Sequence, residues 1–491
     1  MRADLLLPAS VLTPLVLAAL ATLVRGRAST AVGLVGSVVS GVLAGAVALT
    51  VGLTGTVRHE LAGWSPPLGV MLRADGLSAV FLALTAVVGT FTAVYASARP
   101  TTYRHNRAFW SLSLLLWSGM AAVLVTADLF NTYVALEVLT LAAVGLVALG
   151  GRTSWQPALR YLLVAVLGSM FFLLAVAMIY GMTGTLDMEQ AGRIIAADPS
   201  ADTRWPLALA VVGLGAKAAL LPLHAWLPPA HASAPAAVSP LLSGLVVKAG
   251  FVVLARLWFE VLGPDTQVAA LLGVAAAAAV VVGGVLALVQ SRLKRVVAYS
   301  TVAQVGYFFL LFPLTAGVTD PDLLRTLWGG VLLIVLAHGL AKTALFLAAG
   351  SLQLAAGTDE MDDIVGAARQ LPSTTMAMML AAVSLIGLPI SLGFSGKWLV
   401  LTGAVQSEQW WAVVLILVGS LLSTAYLLRP LAAVLLASDT THEVEPIDMA
   451  QLPPVLRHVP VVLALLGVAL GLNAEWLAEL STVGLSVGGA P

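Results

Sequence analysis

The chain has no cysteine among its 491 residues, which excludes disulfides, iron–sulfur clusters and thiolate-held metal. Charge is the second scarcity. Asp, Glu, Lys and Arg supply 10% of the chain, against about 25% in soluble domains. So little charge cannot cover a water-facing surface. Neither sign dominates, because 24 basic side chains balance 24 acidic ones, and nothing in that balance suggests a nucleic-acid partner. Nothing points to a cofactor or a bound metal.

What fills the sequence instead is apolar. Hydrophobic residues make up 60%, mean hydropathy is +1.00, and long runs such as Tyr161–Tyr180 and Val268–Val289 recur. Runs of about 20 apolar residues match the hydrocarbon core of a bilayer when helical. Backbone groups in lipid must pair internally, so such runs are helices; a barrel would show short alternating strands. The expectation is an all-α polytopic membrane protein surrounded by lipid. A window of about 19 residues marks roughly 14 spans, the seventh near Leu214 and the twelfth near Leu385. The first run, Leu5–Val24, carries Pro8 and Pro14 and lacks a small-residue cleavage site before Arg25, so it reads as a spanning helix rather than a signal peptide. The longer connections, Gly184–Arg204, Thr358–Gln370 and Ser438–His458, hold no soluble domain, and residues 1–491 form one membrane domain.

Basic residues collect after odd-numbered spans: Arg25 and Arg27, then Arg99, Arg104 and Arg107, Arg152 and Arg160, and Arg292, Lys294 and Arg295. Positive connections stay in the cytoplasm, which puts both termini outside. The seventh and twelfth spans are interrupted. The seventh runs from Gly213 through Lys217 and Pro222 to His224; the twelfth runs from Ile386 through Pro389 to Lys397. Proline clashes with the carbonyl four residues back, which frees the carbonyls of Ala218 and Leu385. Irregular backbone at membrane depth is tolerated beside protein or water, and paired interrupted spans point to a transport site built from a repeat. Residues of about 107–262 and about 266–434 therefore read as two inverted five-helix copies with broken helices seven and twelve.

The informative residues are charges inside apolar runs: Glu137, Lys217, Lys248, Lys342 and Lys397, with His338 one helical turn from Lys342. Each charge at the bilayer centre costs about 2.5–3.5 kcal/mol, so the five facing lipid would cost well over about 10 kcal/mol. They must face the bundle interior, pair, or line water. Glu137, the only convincing buried acid of the first half, is expected to pair with Lys217. A chain of Lys and His groups whose protonation follows their neighbours' charges is a proton relay. The bland alternatives are that Lys248 and Lys397 snorkel from helix ends and that His338 is a neutral histidine on a carbonyl. His224 shares a face with Lys217 if the helix continues, or serves the loop at the helix exit. His231 and His105 read as loop residues, and Arg292, Lys294 and Arg295 as surface anchors.

At this point the residues resemble a known family. Lys217…Leu-Pro222-Leu-His224-Ala-Trp226-Leu-Pro228-Pro229-Ala-His231…Ser239…Gly244…Lys248 is similar to a signature shared by the antiporter-like subunits of respiratory complex I and of Mrp-type multisubunit Na⁺/H⁺ antiporters. Arg292-Leu-Lys294-Arg295…Tyr299-Ser300…Gln304-Val-Gly306-Tyr307 resembles its second signature. Asn131-Thr-Tyr-Val-Ala-Leu-Glu137 and Gly184-Thr-Leu-Asp-Met188 resemble the D-type branch of the Mrp antiporters, as does Gln304 where complex I relatives often carry His. The resemblance implies that Glu137, Lys217, Lys248, His338, Lys342 and Lys397 form the family's buried charged axis, with Pro222 and Pro389 at the broken helices. It also implies a hetero-oligomeric partner set. One departure stands out: Leu388-Pro389-Ile390-Ser391-Leu392-Gly393 lacks the second proline common in relatives.

The expected function is that of a proton-conducting subunit of a monovalent cation (Na⁺)/proton antiporter in a bacterial plasma membrane, a transporter rather than an enzyme. The rivals are a redox-driven pump subunit of complex I or a membrane-bound hydrogenase, a non-transporting assembly subunit, and a self-sufficient transporter.

Overall fold

The protein is seen in a computed structural model that describes residues 3–98, 106–436 and 452–485. Arg99, Arg104, His105 and most of the Ser438–His458 connection lie outside the described residues. The chain begins with α1 (Leu6–Leu23) and α2 (Arg27–Thr54). A hairpin of β1 (Val57–Glu60) and β2 (Met71–Ala74) leads into α3 (Gly76–Ala98). Then follow α4 (Arg107–Val125), α5 (Leu129–Ala148), α6 (Arg152–Thr183), the short α7 (Met188–Ala197), and α8 (Arg204–Ala218) with α9 (Leu227–Ser233). Next come α10 (Val238–Val261), α11 (Thr266–Leu288), α12 (Leu293–Thr315) and α13 (Pro321–Ala356). The chain closes with α14 (Pro372–Ile386), α15 (Leu392–Gln406), α16 (Trp410–Leu435) and α17 (Pro454–Thr482).

Among the described residues, 12 helices are long and apolar enough to cross a membrane. The expected seventh and twelfth spans are each split into two helices too short for that, α8 with α9 and α14 with α15. The chain is an all-α polytopic membrane protein, with one small sheet among the described residues that hydropathy did not foresee. In that sheet Val57 pairs with Ala74 and Glu60 with Met71. Burial alternates along both strands, half-buried with exposed on β1 and half-buried with buried on β2, as a strand covering a helical bundle requires. The helix α7 buries Met188, Ala191, Gly192 and Ile195, the i, i+3, i+4, i+7 stripe of a surface helix.

The connections gather at two opposite ends. At one end, Asp128 bridges Asp187, Leu72 bridges Thr126, and Arg204 Nε donates to Asp265 at 3.1 Å. At the other, Ser154 donates to the Ser233 carbonyl at 2.7 Å, Arg292 pairs with Asp359, and Arg429 donates to the carbonyls of Leu288 and Gln290. Two helices run through the interior: the most apolar windows of α10 and α13 are 100% buried. A helix apolar all round belongs in the core, and these two carry Lys248, His338 and Lys342.

Candidate ion-conducting axis

The first broken helix shows how the chain makes its site. α8 stops after Lys217 and Ala218 because Ala219 turns left-handed, with φ 57°. Its N–H returns to the Ala216 carbonyl at 3.2 Å, and the Leu220 N–H to the Gly215 carbonyl at 2.9 Å. This is the paired Schellman closure that usually employs glycine. The Ala216 carbonyl also accepts from Trp226 Nε1 at 2.9 Å, which pins the irregular segment leading to α9. Lys217 thus lies in the last turn of a helix, where the partial negative charge of unpaired carbonyls favours an ammonium. Its Nζ donates to Glu137 at 3.2 Å and to Thr140 at 3.0 Å, one helical turn apart on α5. Glu137 also accepts from Ser169 on α6. The lysine side chain is 5% exposed and the glutamate 22%. Gly213 and Gly250 allow the helices to close around it. A Cβ on Gly213 would lie 2.5 Å from the Gly168 carbonyl, and one on Gly250 2.5 Å from the Leu214 carbonyl.

The centre of the axis is α10 against α12 and α13. A π-turn over Leu242–Val246 shifts the hydrogen-bond ladder by one residue, a feature common at functional sites. Lys248 Nζ reaches back to the Ser243 carbonyl at 2.7 Å and contacts His338 Nδ1 at 2.9 Å. The Ser243 hydroxyl meets Thr301 at 3.0 Å. Its chain neighbour Ser300 accepts from Lys342, whose Nζ also donates to the Val297 carbonyl at 2.9 Å. Lys248 and Lys342 are fully buried and His338 is 1% exposed. His338 Nε2 has no partner among the described residues.

The second broken helix closes α14 at Gly387, φ 84°, and restarts α15 with Ser391, whose hydroxyl accepts the Phe394 N–H at 3.2 Å. The irregular residues between include Ile390 at φ 68°, a conformation a β-branched residue adopts only under constraint. Lys397 reaches from α15 back to the last carbonyls of α14, Leu385 at 3.2 Å and Ile386 at 2.9 Å, and to Ser420 at 3.2 Å. Its Nζ lies 4.8 Å from the Tyr307 ring centre. Leu385 is the residue whose carbonyl Pro389 was expected to free.

Several sequence expectations change here. Lys248 and Lys397 do not snorkel; both are buried and bonded inward. His224 does not share a helical face with Lys217, because the helix ends at Ala218 and His224 lies in the irregular linker. His231 is no loop residue: it sits on α9, fully buried, stacked on Phe346 at 4.6 Å, with both ring nitrogens unpartnered among the described residues. Lys294 is not a surface anchor; it is 4% exposed and donates to the Ala234 carbonyl at 2.9 Å.

Two groups of polar residues were given no place on the axis by the sequence reading, the first of them quoted there only as part of a signature. On α12, Ser300, Gln304 and Tyr307 repeat at i, i+4 and i+7, a stripe that runs from Lys342 to Lys397; the spacing could have shown it. The second is a buried ion network. Arg256 forks onto Asp75 at 2.8 and 3.0 Å and reaches Glu260 at 2.8 Å and Ser78 at 2.9 Å. Arg73 contacts Glu260 and lies 3.4 Å from Asp75. Arg73 and Asp75 precede α3, and Arg256 and Glu260 lie in the last turns of α10, close enough to a helix end for hydropathy to read a membrane boundary.

Comparison with known proteins gives this geometry a family. The family model for "NADH:quinone oxidoreductase/Mrp antiporter, TM" matches residues 126–423, well over half of the chain. The chain is 38% identical over 380 residues to the N subunit of the NADH-quinone oxidoreductase of Desulforudis audaxviator, covering 76% of this chain and 74% of that relative. It is 29% identical over 456 residues to the D subunit of the Na(+)/H(+) antiporter of Bacillus subtilis, covering 92% and 89%. A chain in the structure of the Mrp complex from Dietzia sp. DQ12-45-1b superposes with a TM-score of 0.87 at 24% identity, over 99% of this chain and 97% of that one; at that identity the likeness speaks for the fold. With a family model spanning both broken helices and a relative at this identity, the chain belongs to the NADH:quinone oxidoreductase/Mrp antiporter transmembrane family.

Proposed function

We propose that this chain is the proton-conducting, D-type member of a hetero-oligomeric monovalent cation/proton antiporter, Na⁺ being the exchanged ion, in a bacterial plasma membrane with both termini outside. Glu137, Lys217, Lys248, His338, Lys342 and Lys397 carry the proton. The observation that carries this reading is the buried Lys248–His338 contact at 2.9 Å, one ionisable pair inside a bundle that also buries the Glu137–Lys217 pair. Direct hydrogen bonds do not join all six residues among those described, so the gaps are crossed by water between polar groups. The α12 stripe of Ser300, Gln304 and Tyr307 supports the path from Lys342 to Lys397.

The two copies, about 107–262 and about 266–434, are part of the same proposal. In each, the helix before the split one packs against it (α6 on α8, α13 on α15), and the first two helices pack together (α4 on α5, α11 on α12). Lys217→Ala is expected to abolish cation-driven proton flux in vesicles while the complex still assembles; retained flux sinks the assignment.

A second reading has its own support, because the relative named as an N subunit is more nearly identical than the one named as a D subunit. In that reading the same axis pumps protons in a redox-driven complex, and the chain itself performs no redox chemistry. The proteins that co-purify in mild detergent separate the two. An assembly scaffold predicts the reverse order of damage, with charge removal disturbing assembly before flux.

A further inference from the structure

The surroundings of Lys397 differ in kind from those of Lys217. Every polar partner is a neutral oxygen: the Leu385 and Ile386 carbonyls released at the helix break, and the Ser420 hydroxyl. Around them stands a second rank. Gln304 Nε2 lies 3.4 Å from the same Leu385 carbonyl, from the Ser423 hydroxyl and from the Tyr426 hydroxyl, and Ser423 and Tyr426 meet at 3.0 Å. Three acceptors crowd a nitrogen that has two hydrogens, and an amide's oxygen and nitrogen are interchangeable by a flip. The cluster is rich in oxygen, and its two hydroxyls can turn their lone pairs inward while donating elsewhere. No carboxylate is bonded to Lys397 among the described residues.

We propose that this oxygen cage at the second helix break is a monovalent cation site, and that the Lys397 ammonium occupies it as a built-in competitor. The inference rests on the proton-conduction reading and adds to it the place where the exchanged cation binds. Backbone carbonyls of an unwound helix end suit an alkali cation, as do hydroxyl and amide oxygens around a hard ion. The absence of an acid sets the charge. A divalent ion would sit in a buried cage with two uncompensated charges, whereas one monovalent cation replaces one ammonium and leaves the total unchanged. The exchange balances: Lys397–NH₃⁺ plus M⁺ gives Lys397–NH₂ with M⁺ in the cage, and the proton leaves along the axis. The cation enters only as the lysine gives up its proton, so the two never share the cage.

Other titratable groups facing the cage are tyrosines, Tyr307 on α12 and Tyr426 on α16. The ionisable groups of α13 are engaged elsewhere, His338 with Lys248, Lys342 with Val297 and Ser300, and Arg325 with Asp322. The α14 segment before the break carries no titratable residue. Lys397 is thus the group whose protonation the cation displaces.

Binding of ²²Na⁺ to the complex in lipid nanodiscs, followed between about pH 6 and pH 9, tests the proposal. With one proton released per cation, apparent affinity should rise about tenfold per pH unit while the lysine is charged. Lys397→Met removes the competitor, and binding should lose its pH dependence. Ser420→Ala should weaken binding about tenfold or more at every pH, in both backgrounds, for loss of one oxygen on a charged group. Should Lys397→Met keep the wild-type pH profile, or Ser420→Ala leave affinity unchanged, the cage is not the cation site. Those outcomes leave proton conduction standing if Lys217→Ala still abolishes flux. Retained flux in Lys217→Ala overturns conduction without altering what the binding profile says.

Discussion

The two broken helices make the same electrostatic arrangement with different partners. Each places a lysine ammonium at the carboxyl end of a short helix, where unpaired carbonyls favour a cation. At the first break the lysine belongs to that helix and finds an acid, Glu137 at 3.2 Å. At the second the lysine belongs to the following helix and, among the described residues, bonds to carbonyls and a hydroxyl beside the Tyr307 ring. With both lysines protonated, the first site is charge-neutral and the second carries one net positive charge. On the reading proposed above, the first holds an ion pair in balance and the second lets one cation stand in for another.

That contrast can be broken by removing charges in turn. The largest effect is expected from Glu137→Gln, which leaves Lys217 buried without its acid. Losing one partner of a buried ion pair costs about 3–5 kcal/mol, so thermal unfolding in detergent should fall well below wild type and proton flux in vesicles should be lost. Lys217→Met should destabilise by a similar amount, since it orphans Glu137 instead. Lys397→Met sharpens the comparison: flux should fall, yet the unfolding midpoint should hold or rise, because no opposite charge is left alone. If it destabilised the protein as much as Lys217→Met, the two sites would be equivalent and the contrast would be false.

A further test lies outside both sites. Burial alone would raise the Asp75 carboxyl, but the guanidinium groups of Arg256 and Arg73 overcome it and hold it well below its ordinary 3.8. Its folded value lies below its unfolded one, so the network's contribution is fully present above about pH 4 and fades as pH falls towards the folded value. Asp75→Asn should therefore lower the unfolding midpoint at neutral pH and flatten its loss in acid, with Lys397→Met showing no such flattening. The smallest effect is expected from Thr140→Val, which takes one hydroxyl from Lys217 and leaves Glu137 in place; a net hydrogen bond to a charged group is worth about 1.5–3 kcal/mol, below the acid's removal.

Much of this site was legible because the bilayer makes charge conspicuous. Glu137, Lys217, Lys248, Lys342 and Lys397 stand out against apolar neighbours, and Pro222 and Pro389 mark where helices must stop. His231 and Lys294 were misread for the opposite reason. They lie near prolines or among other cations, where a hydropathy profile expects surface, and only packing against Phe346 and Ala234 reveals their burial. The Asp75–Arg256 network was missed because those two residues lie 181 positions apart and each sits near the end of a helix.

By itself the sequence determined that the chain is helical, that it lives in lipid, and that a few charges must turn inward, since each follows from the cost of leaving a polar group in hydrocarbon. Which inward charge meets which was decided by the tertiary structure alone. The π-turn beneath Lys248, the left-handed alanine after Lys217 and the backward reach of Lys397 depend on how helices cross. The cost of burial says only that a partner must exist; close packing chooses whether it is a carboxylate, an imidazole or a carbonyl.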